Sequence, residues 1–392
     1  MNLQTAINPH IIIGIPVLFW GGTEIQSLTL IQALQEMGYC VTVCCYHEYD
    51  PTMIDEVQRT GAQVDLLDLA RGAGHLSTFN ALRKYFKNKK PLAVHVRYIA
   101  PGLVPVLAAR AAGIKNVIIT VGQLGTPYGL IPKLLIRIAC VLSKCVICTT
   151  REVEKSWFGK SYVYNAGLRR PRKHCTIFNG VKIDAVASIS RGIEEKTTFR
   201  TKYSIPRDKK ILAVVGRLRS EKGQMLALQA MAIIAEQMPE TLLLFAGEGP
   251  DADILKQKTR ELRLESNVRF LGRLDPAEVF SLYRLSSCLI IPSTYEGFGL
   301  VAVEAMAARI PVVATNVGGL KDIVKDGETG YLVPVARGDI MAKKVIKILR
   351  SENLAESMSY KGFQRVNDIF SYEVYSKKLS NLFAVILKPL QH

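Results

Sequence analysis

Residues 292–334 read PSTYEGFGLVAVEAMAARIPVVATNVGGLKDIVKDGETGYLVP, and the alternation within them decides the fold. A segment with helical apolar spacing, GLVAVEAMAA, runs into the short β-rich stretch PVVA at 311–314. A glycine-bearing helical segment then leads to YLV at 331–333, while the apolar run CLII at 288–291 precedes the whole. Short apolar strands separated by helices are the pattern of a doubly wound parallel sheet.

The same alternation continues toward the N-terminus. Strands expected near 211–216, 242–246 and 268–271 complete one α/β unit with those at 288–291, 311–314 and 331–333. Seven more, near 11–15, 40–46, 63–67, 92–97, 116–121, 145–149 and 175–178, make a second. Between them lies Lys182–Lys210, polar and poor in strand signals. We therefore expect an α/β protein of two domains, residues 1–182 and 183–371. The amphipathic segment 372–392 is placed to pack back on the first. A chain of 392 residues exceeds what one hydrophobic core usually supports, and 48% hydrophobic with 22% charged residues is ordinary globular usage.

In open parallel sheets ligands bind beyond the carboxyl ends of strands, so the loops there carry the chemistry. After ILAVV come Arg217 and Lys222 in GRLRSEKG, two cations near a helix start, where free N–H groups and the dipole favour anions. Together they have the makings of a diphosphate clamp. Gly247-Glu-Gly249 follows LLLFA but lacks the third glycine of a dinucleotide fingerprint, which argues against an NAD enzyme. Arg273 and Leu274 follow VRFLG, and Pro276 suits the first turn of the next helix. Glu296 and Glu304 are eight positions apart, one in a loop and one inside the helix after it, so both carboxylates can face one ligand at different depths. Gly297 and Gly299 let backbone amides approach a charged group. A glycosidase-like acid and nucleophile pair is the rival reading; the cationic loops favour a phosphate-bearing ligand.

This segment resembles the E-x7-E signature of retaining glycosyltransferases of the GT-B fold, in the large family 4 grouping. GRLRSEKG, FAGEGP, FLGRL and VGGLKDIVKDGETGYLV accompany it in the family's order, so the resemblance covers roughly residues 11–370. It implies two Rossmann-like doubly wound domains facing a cleft, the GT-B fold, and hexosyl transfer from a nucleotide diphosphate-sugar. It also implies roles: Arg217 and Lys222 on the donor diphosphate, Glu304 on the ribose, and Glu296 on the transferred sugar. Phe298, Gly299 and Leu300 would offer backbone amides, and Arg273 and Leu274 would border the base. Gly22, in Gly21-Gly22-Thr23-Glu24, resembles the glycine-rich loop that touches donor and acceptor, while Asn179-Gly180-Val181 resembles a structural motif near the crossover. No cofactor and no metal are expected, with UDP-sugars somewhat favoured over GDP-sugars. One departure stands out: where many relatives carry a histidine after the strand NVIITV, this chain has Gly122-Gln123. His95 and His47 lie on other strands and read as core.

Charge suggests a partner. The formal net charge is +17, and no acidic residue occurs between Asp68 and Glu152. The interval holds Arg71, Arg83, Lys84, Lys87, Lys89, Lys90, Arg97, Arg110, Lys115, Lys133, Arg137, Lys144 and Arg151. It lacks the aromatic interleaving and folds of nucleic-acid binders, so an anionic membrane surface along residues 69–151 is the better match. Within it, Pro132–Lys144 reads as a basic amphipathic helix with Lys133, Arg137 and Lys144 on one edge and Leu134, Leu135, Ile138, Val141 and Leu142 apolar. A membrane-surface helix and a core helix with a solvated face predict the same pattern. No run of 18 apolar residues occurs, the start MNLQTAINPHIIIG lacks signal-peptide character, and the eight cysteines, several of them inside apolar runs (Cys44, Cys45, Cys145, Cys148 and Cys288), fit reduced thiols better than a disulfide framework. These features fit a cytoplasmic protein, peripheral on the inner face of the membrane, adding sugar to a lipid-linked, lipopolysaccharide or polysaccharide acceptor. A sugar-nucleotide epimerase of the same fold and an inactive donor-binding scaffold are the alternatives.

Overall fold

The computed structural model describes residues 9–97, 103–167, 172–183 and 193–387. The first eight residues, read above for a leader, lie outside these, as do residues 184–192 of the inter-domain stretch and 388–392 of the C-terminal segment. The chain divides into two compact units, Met1–Gly180 with Tyr372–His392, and Val181–Ser371.

The first unit is built on a parallel sheet of β1 (His10–Leu18), β2 (Cys40–Tyr49), β3 (Gln63–Leu66), β4 (Ala93–Arg97), β5 (Val117–Val121), β6 (Cys145–Cys148) and β7 (His174–Thr176), in the order 3-2-1-4-5-6-7. The second has β8 (Lys210–Val215), β9 (Thr241–Ala246), β10 (Val268–Gly272), β11 (Cys288–Ile291), β12 (Val312–Thr315) and β13 (Gly330–Val333), in the order 10-9-8-11-12-13. Each is a doubly wound Rossmann-like sheet. Its strands read as continuous apolar runs because helices cover both faces: Ile11, Ile12 and Ile13, and Leu242 to Phe245, are all at most 1% exposed.

The C-terminal helix Tyr372–Ile386 contributes Tyr375, Leu379, Leu382, Phe383 and Ile386 to the core of the first unit. Cys145 and Cys148 are both fully buried free thiols, and burial raises both pKa values well above that of an exposed thiol; at Cys145 the largest cause is a sulfur contact with Cys175, 3.8 Å away.

The basic interval is less open than its composition suggests. Arg71 pairs with Glu48 and Lys89 with Asp65, each at 2.7 Å, and Arg97 is only 4% exposed. Folding brings these acids in from outside the interval. Its amphipathic helix spans Leu130–Leu142 rather than Pro132–Lys144, because Ser143 is extended and Lys144 already leads into the next strand, and the core-helix reading does not hold: Ile136, Ala139 and Cys140 face inward, whereas Leu134, Leu135, Ile138 and Val141 are exposed.

Candidate active site

In the second sheet β8 and β11 are neighbours although β9 and β10 intervene in the chain, so the winding reverses between them. This switch point is where open parallel sheets bind ligands beyond their strand ends. Arg217 leaves β8 there on the exposed side of the loop, with its carbonyl held by Gln224 Nε2 at 2.8 Å. Lys222 closes the one-turn 3-10 helix Ser220–Lys222 that leads into the helix Gln224–Gln237.

Close backbone packing carries this turn across to β11. A Cβ on Gly223, whose φ is +66°, would lie 2.0 Å from the Pro292 carbonyl oxygen, so only glycine lets the two loops meet. The Thr294 amide donates to the Glu221 carbonyl at 2.9 Å and fastens them. The result is a direct ion pair: Lys222 Nζ donates to Glu296 Oε2 at 2.8 Å, and Ser293 Oγ approaches the same oxygen at 3.4 Å. The Glu296 side chain is 13% exposed and that of Lys222 32%, so the pair is partly shielded from water.

Beyond Glu296 the chain turns through Gly297, Phe298 and Gly299 into the helix Leu300–Ala307. The first amides of a helix have no intrahelical acceptor, which leaves those of Leu300 and Val301 at its start, while Ala302 and Val303 donate to the Gly299 carbonyl at 3.0 and 3.4 Å. Phe298 is buried edge-on against Phe370 at 6.1 Å. The turn is held from beneath by Gly319, whose amide donates to the Glu296 carbonyl at 2.9 Å; a Cβ there would lie 2.5 Å from the Gly297 and Phe298 carbonyl oxygens.

Glu304, one turn into the helix, accepts a hydrogen bond from the Tyr283 hydroxyl at 3.0 Å. Burial pushes the Glu304 pKa up, and the Tyr283 bond partly offsets this. Tyr283 belongs to the helix Pro276–Leu285, which starts from a capping box between Asp275 and Glu278 with Pro276 at its first turn. Sequence reasoning missed Tyr283, since a tyrosine at helical spacing in FSLYRL reads as core, and it is indeed 0% exposed. Ser293 and Gln224 were missed for the same reason: neither carries a motif.

Arg273, exposed, and Leu274, 9% exposed, follow β10 at the sheet edge, two strands from β8. Gly247 and Gly249 lie against the backbone of Gly216 and Leu218. Among the described residues no group of three or more metal-ligating side chains occurs. In the first unit Gly22 opens the helix Gly22–Glu36 directly after β1, with Gly21 as an extended N-cap. Gln123 is engaged from two sides, its side-chain oxygen accepting from Tyr128 Oη at 3.2 Å and its carbonyl from Trp157 Nε1 at 2.7 Å. His95 is fully buried against Thr120, and burial lowers its pKa to about 3, so it stays neutral in the core.

Comparison with known proteins matches the two units separately. Residues 20–184 match the family described as Glycosyltransferase Family 4, and residues 195–365 match Glycosyl transferases group 1. An uncharacterized glycosyltransferase of Methanocaldococcus jannaschii is 32% identical over 227 residues, 55% of this chain and 58% of its own length. N-acetyl-alpha-D-glucosaminyl L-malate synthase of Bacillus anthracis is 31% identical over 194 residues, 50% of each chain. The chain thus spans little more than half the length of these curated relatives. Among solved structures, Anabaena HepE in complex with UDP and glucose superposes with a TM-score of 0.80 at 18% identity, covering 96% of this chain and 99% of that one. The lipopolysaccharide-biosynthesis glycosyltransferase WaaG reaches 0.71 at 16% identity, over 95% and 99%. These likenesses carry the GT-B fold across the chain, and with both family matches in their expected order the protein belongs to the group 1 and family 4 glycosyltransferases.

Proposed function

We propose that the protein transfers a sugar, with retention at the anomeric carbon, from a nucleotide diphosphate-sugar to a lipid-linked, lipopolysaccharide or polysaccharide acceptor at the cytoplasmic membrane face. The observation that carries this reading is the Lys222–Glu296 pair at the switch point, with Glu304 on the helix that follows. Donor binding exchanges the partner of Lys222. The ammonium moves to the diphosphate beside Arg217, and Glu296 is released to hydrogen-bond hydroxyls of the sugar. As the glycosidic bond breaks, charge grows on the leaving diphosphate, and cations already in place stabilise it more than they stabilise the ground state. The amides at Phe298, Gly299 and Leu300 add neutral donors, and Glu304, oriented by Tyr283, receives the ribose hydroxyls. Arg273 and Leu274 border the base, and Gly22 is assigned to donor contact by the glycine-rich loop that it resembles. The clamp takes the place of a metal, so no metal or other cofactor is needed. The UDP in the HepE complex makes uridine donors the first to test. The basic span 69–151 supports a membrane-borne acceptor.

A thermal-shift titration with UDP, GDP and ADP, on wild type and Glu304→Ala, tests the donor site. Ligand at a hundred times its Kd stabilises by about 2.7 kcal/mol. We expect a selective rise with one nucleotide that the variant loses; no shift with any of them refutes the donor reading.

A further inference from the structure

The helix Leu130–Leu142 turns its most apolar face to solvent. Leu130 is 85% exposed, Ile131 72%, Leu134 58% and Val141 74%, with Leu135 and Ile138 at 38% and 39%. At about 100° per residue these six cover an arc of about 140°. Ile136, Ala139 and Cys140 occupy the opposite side and dock the helix on the unit. Lys133 and Arg137 fall together on the border beside the exposed arc, and Lys144 follows the helix past the extended Ser143. Lone exposed apolar side chains are ordinary, but a contiguous patch of six on one helix marks an interaction surface.

We propose that this face is an insertion surface for an anionic lipid bilayer, with the helix lying in the plane of the interface. The leucine, isoleucine and valine side chains enter the acyl boundary, and Lys133 and Arg137 sit at headgroup level, with Lys144 just past the helix end. This deepens the membrane-borne acceptor reading and rests on it: the attachment is hydrophobic as well as electrostatic. Charge distinguishes the bilayer from a second copy of the chain. A two-fold dimer would set the patch against itself, so that both copies bring the same cations to one interface while the interval supplies no acidic residue of its own to oppose them. An anionic leaflet instead complements that border, and basic interfacial helices with a large apolar face are built for it. No described helix is long and apolar enough to cross a membrane, so insertion from one side is the geometry on offer.

The test is co-sedimentation with phosphatidylcholine vesicles, with and without phosphatidylglycerol, at low and high salt. Wild type is expected to pellet with the anionic vesicles and to retain part of that binding at high salt. A triple variant, Ile131→Ser, Leu134→Ser and Val141→Ser, removes exposed side chains only, so its melting temperature should hold while vesicle affinity falls at least about tenfold in both salts. A variant with Lys133→Gln, Arg137→Gln and Lys144→Gln should lose the preference for anionic lipid. Equal vesicle binding by the Ser variant and wild type overturns the proposal. So does a wild-type dimer in light scattering that becomes monomeric in the Ser variant, which would make the face a self-interface. The nucleotide thermal shift, measured on the same proteins, separates this outcome from failure of the donor site.

Discussion

Replacing Glu296 by Gln should move nucleotide binding and sugar transfer in opposite directions. Without donor, Lys222 is paired with the Glu296 carboxylate at 2.8 Å in a setting less than one third exposed on either side. A pair of this accessibility lies between a solvated surface bridge, worth up to about 1 kcal/mol, and a buried one, whose desolvation cost consumes much of its attraction. We take about 1 kcal/mol as the pair's net strength. UDP must compete with that carboxylate for Lys222 and also feel its negative charge. Glutamine keeps the shape and a hydrogen-bond acceptor but removes the charge, so the UDP Kd should tighten about fivefold, the equivalent of 1 kcal/mol. Transfer loses a contact to the moving sugar and should fall by about 100-fold or more. Isothermal titration with UDP and a product assay with the UDP-sugar read the two effects separately. If UDP affinity drops in step with turnover, Lys222 does not exchange partners between Glu296 and diphosphate.

Two further outcomes follow from the Glu304 pocket. Tyr283→Phe keeps the buried ring and removes only the hydroxyl that orients Glu304, so UDP affinity should fall about tenfold, the scale of a hydrogen bond to a charged group; unchanged affinity in titration would leave Tyr283 a packing residue only. The pKa of Glu304 is raised by burial, so in the ligand-free protein its stabilising effect is complete below its unfolded-state pKa and is lost as pH rises through the folded-state value. Glu304→Gln should therefore be the more stable protein in denaturant at pH 7 and converge with wild type toward pH 4, and a gap independent of pH would contradict this.

Much of the fold was legible because its signals are local. Every strand expected from a short apolar run is present within a few residues of its place, since a strand covered on both faces must be apolar on both. Pro276 begins a helix because its missing N–H costs nothing in the first turn, and Asp275 was available to cap it. The site was legible as motif and opaque as geometry. Glu296 and Glu304 announce themselves by spacing. Nothing local announces that Lys222, 74 positions from Glu296, is its ion-pair partner, or that a core-like tyrosine holds Glu304.

What the sequence alone determined is therefore the order and kind of elements, the two-unit α/β architecture, and the residue types at each strand end, all of which follow from periodicity and composition over a few turns. Tertiary structure decided which strand ends are neighbours, and so which charges meet: the sheet order places β8 beside β11, and the close approach of Gly223 to Pro292 delivers Lys222 to Glu296. It also decided the orientation of the helix Leu130–Leu142. An amphipathic period states that two faces of a helix differ, but it reads the same whichever face meets the core; only the surface that the rest of the unit offers can choose between them, and here it took Ile136, Ala139 and Cys140 and left the leucines outside.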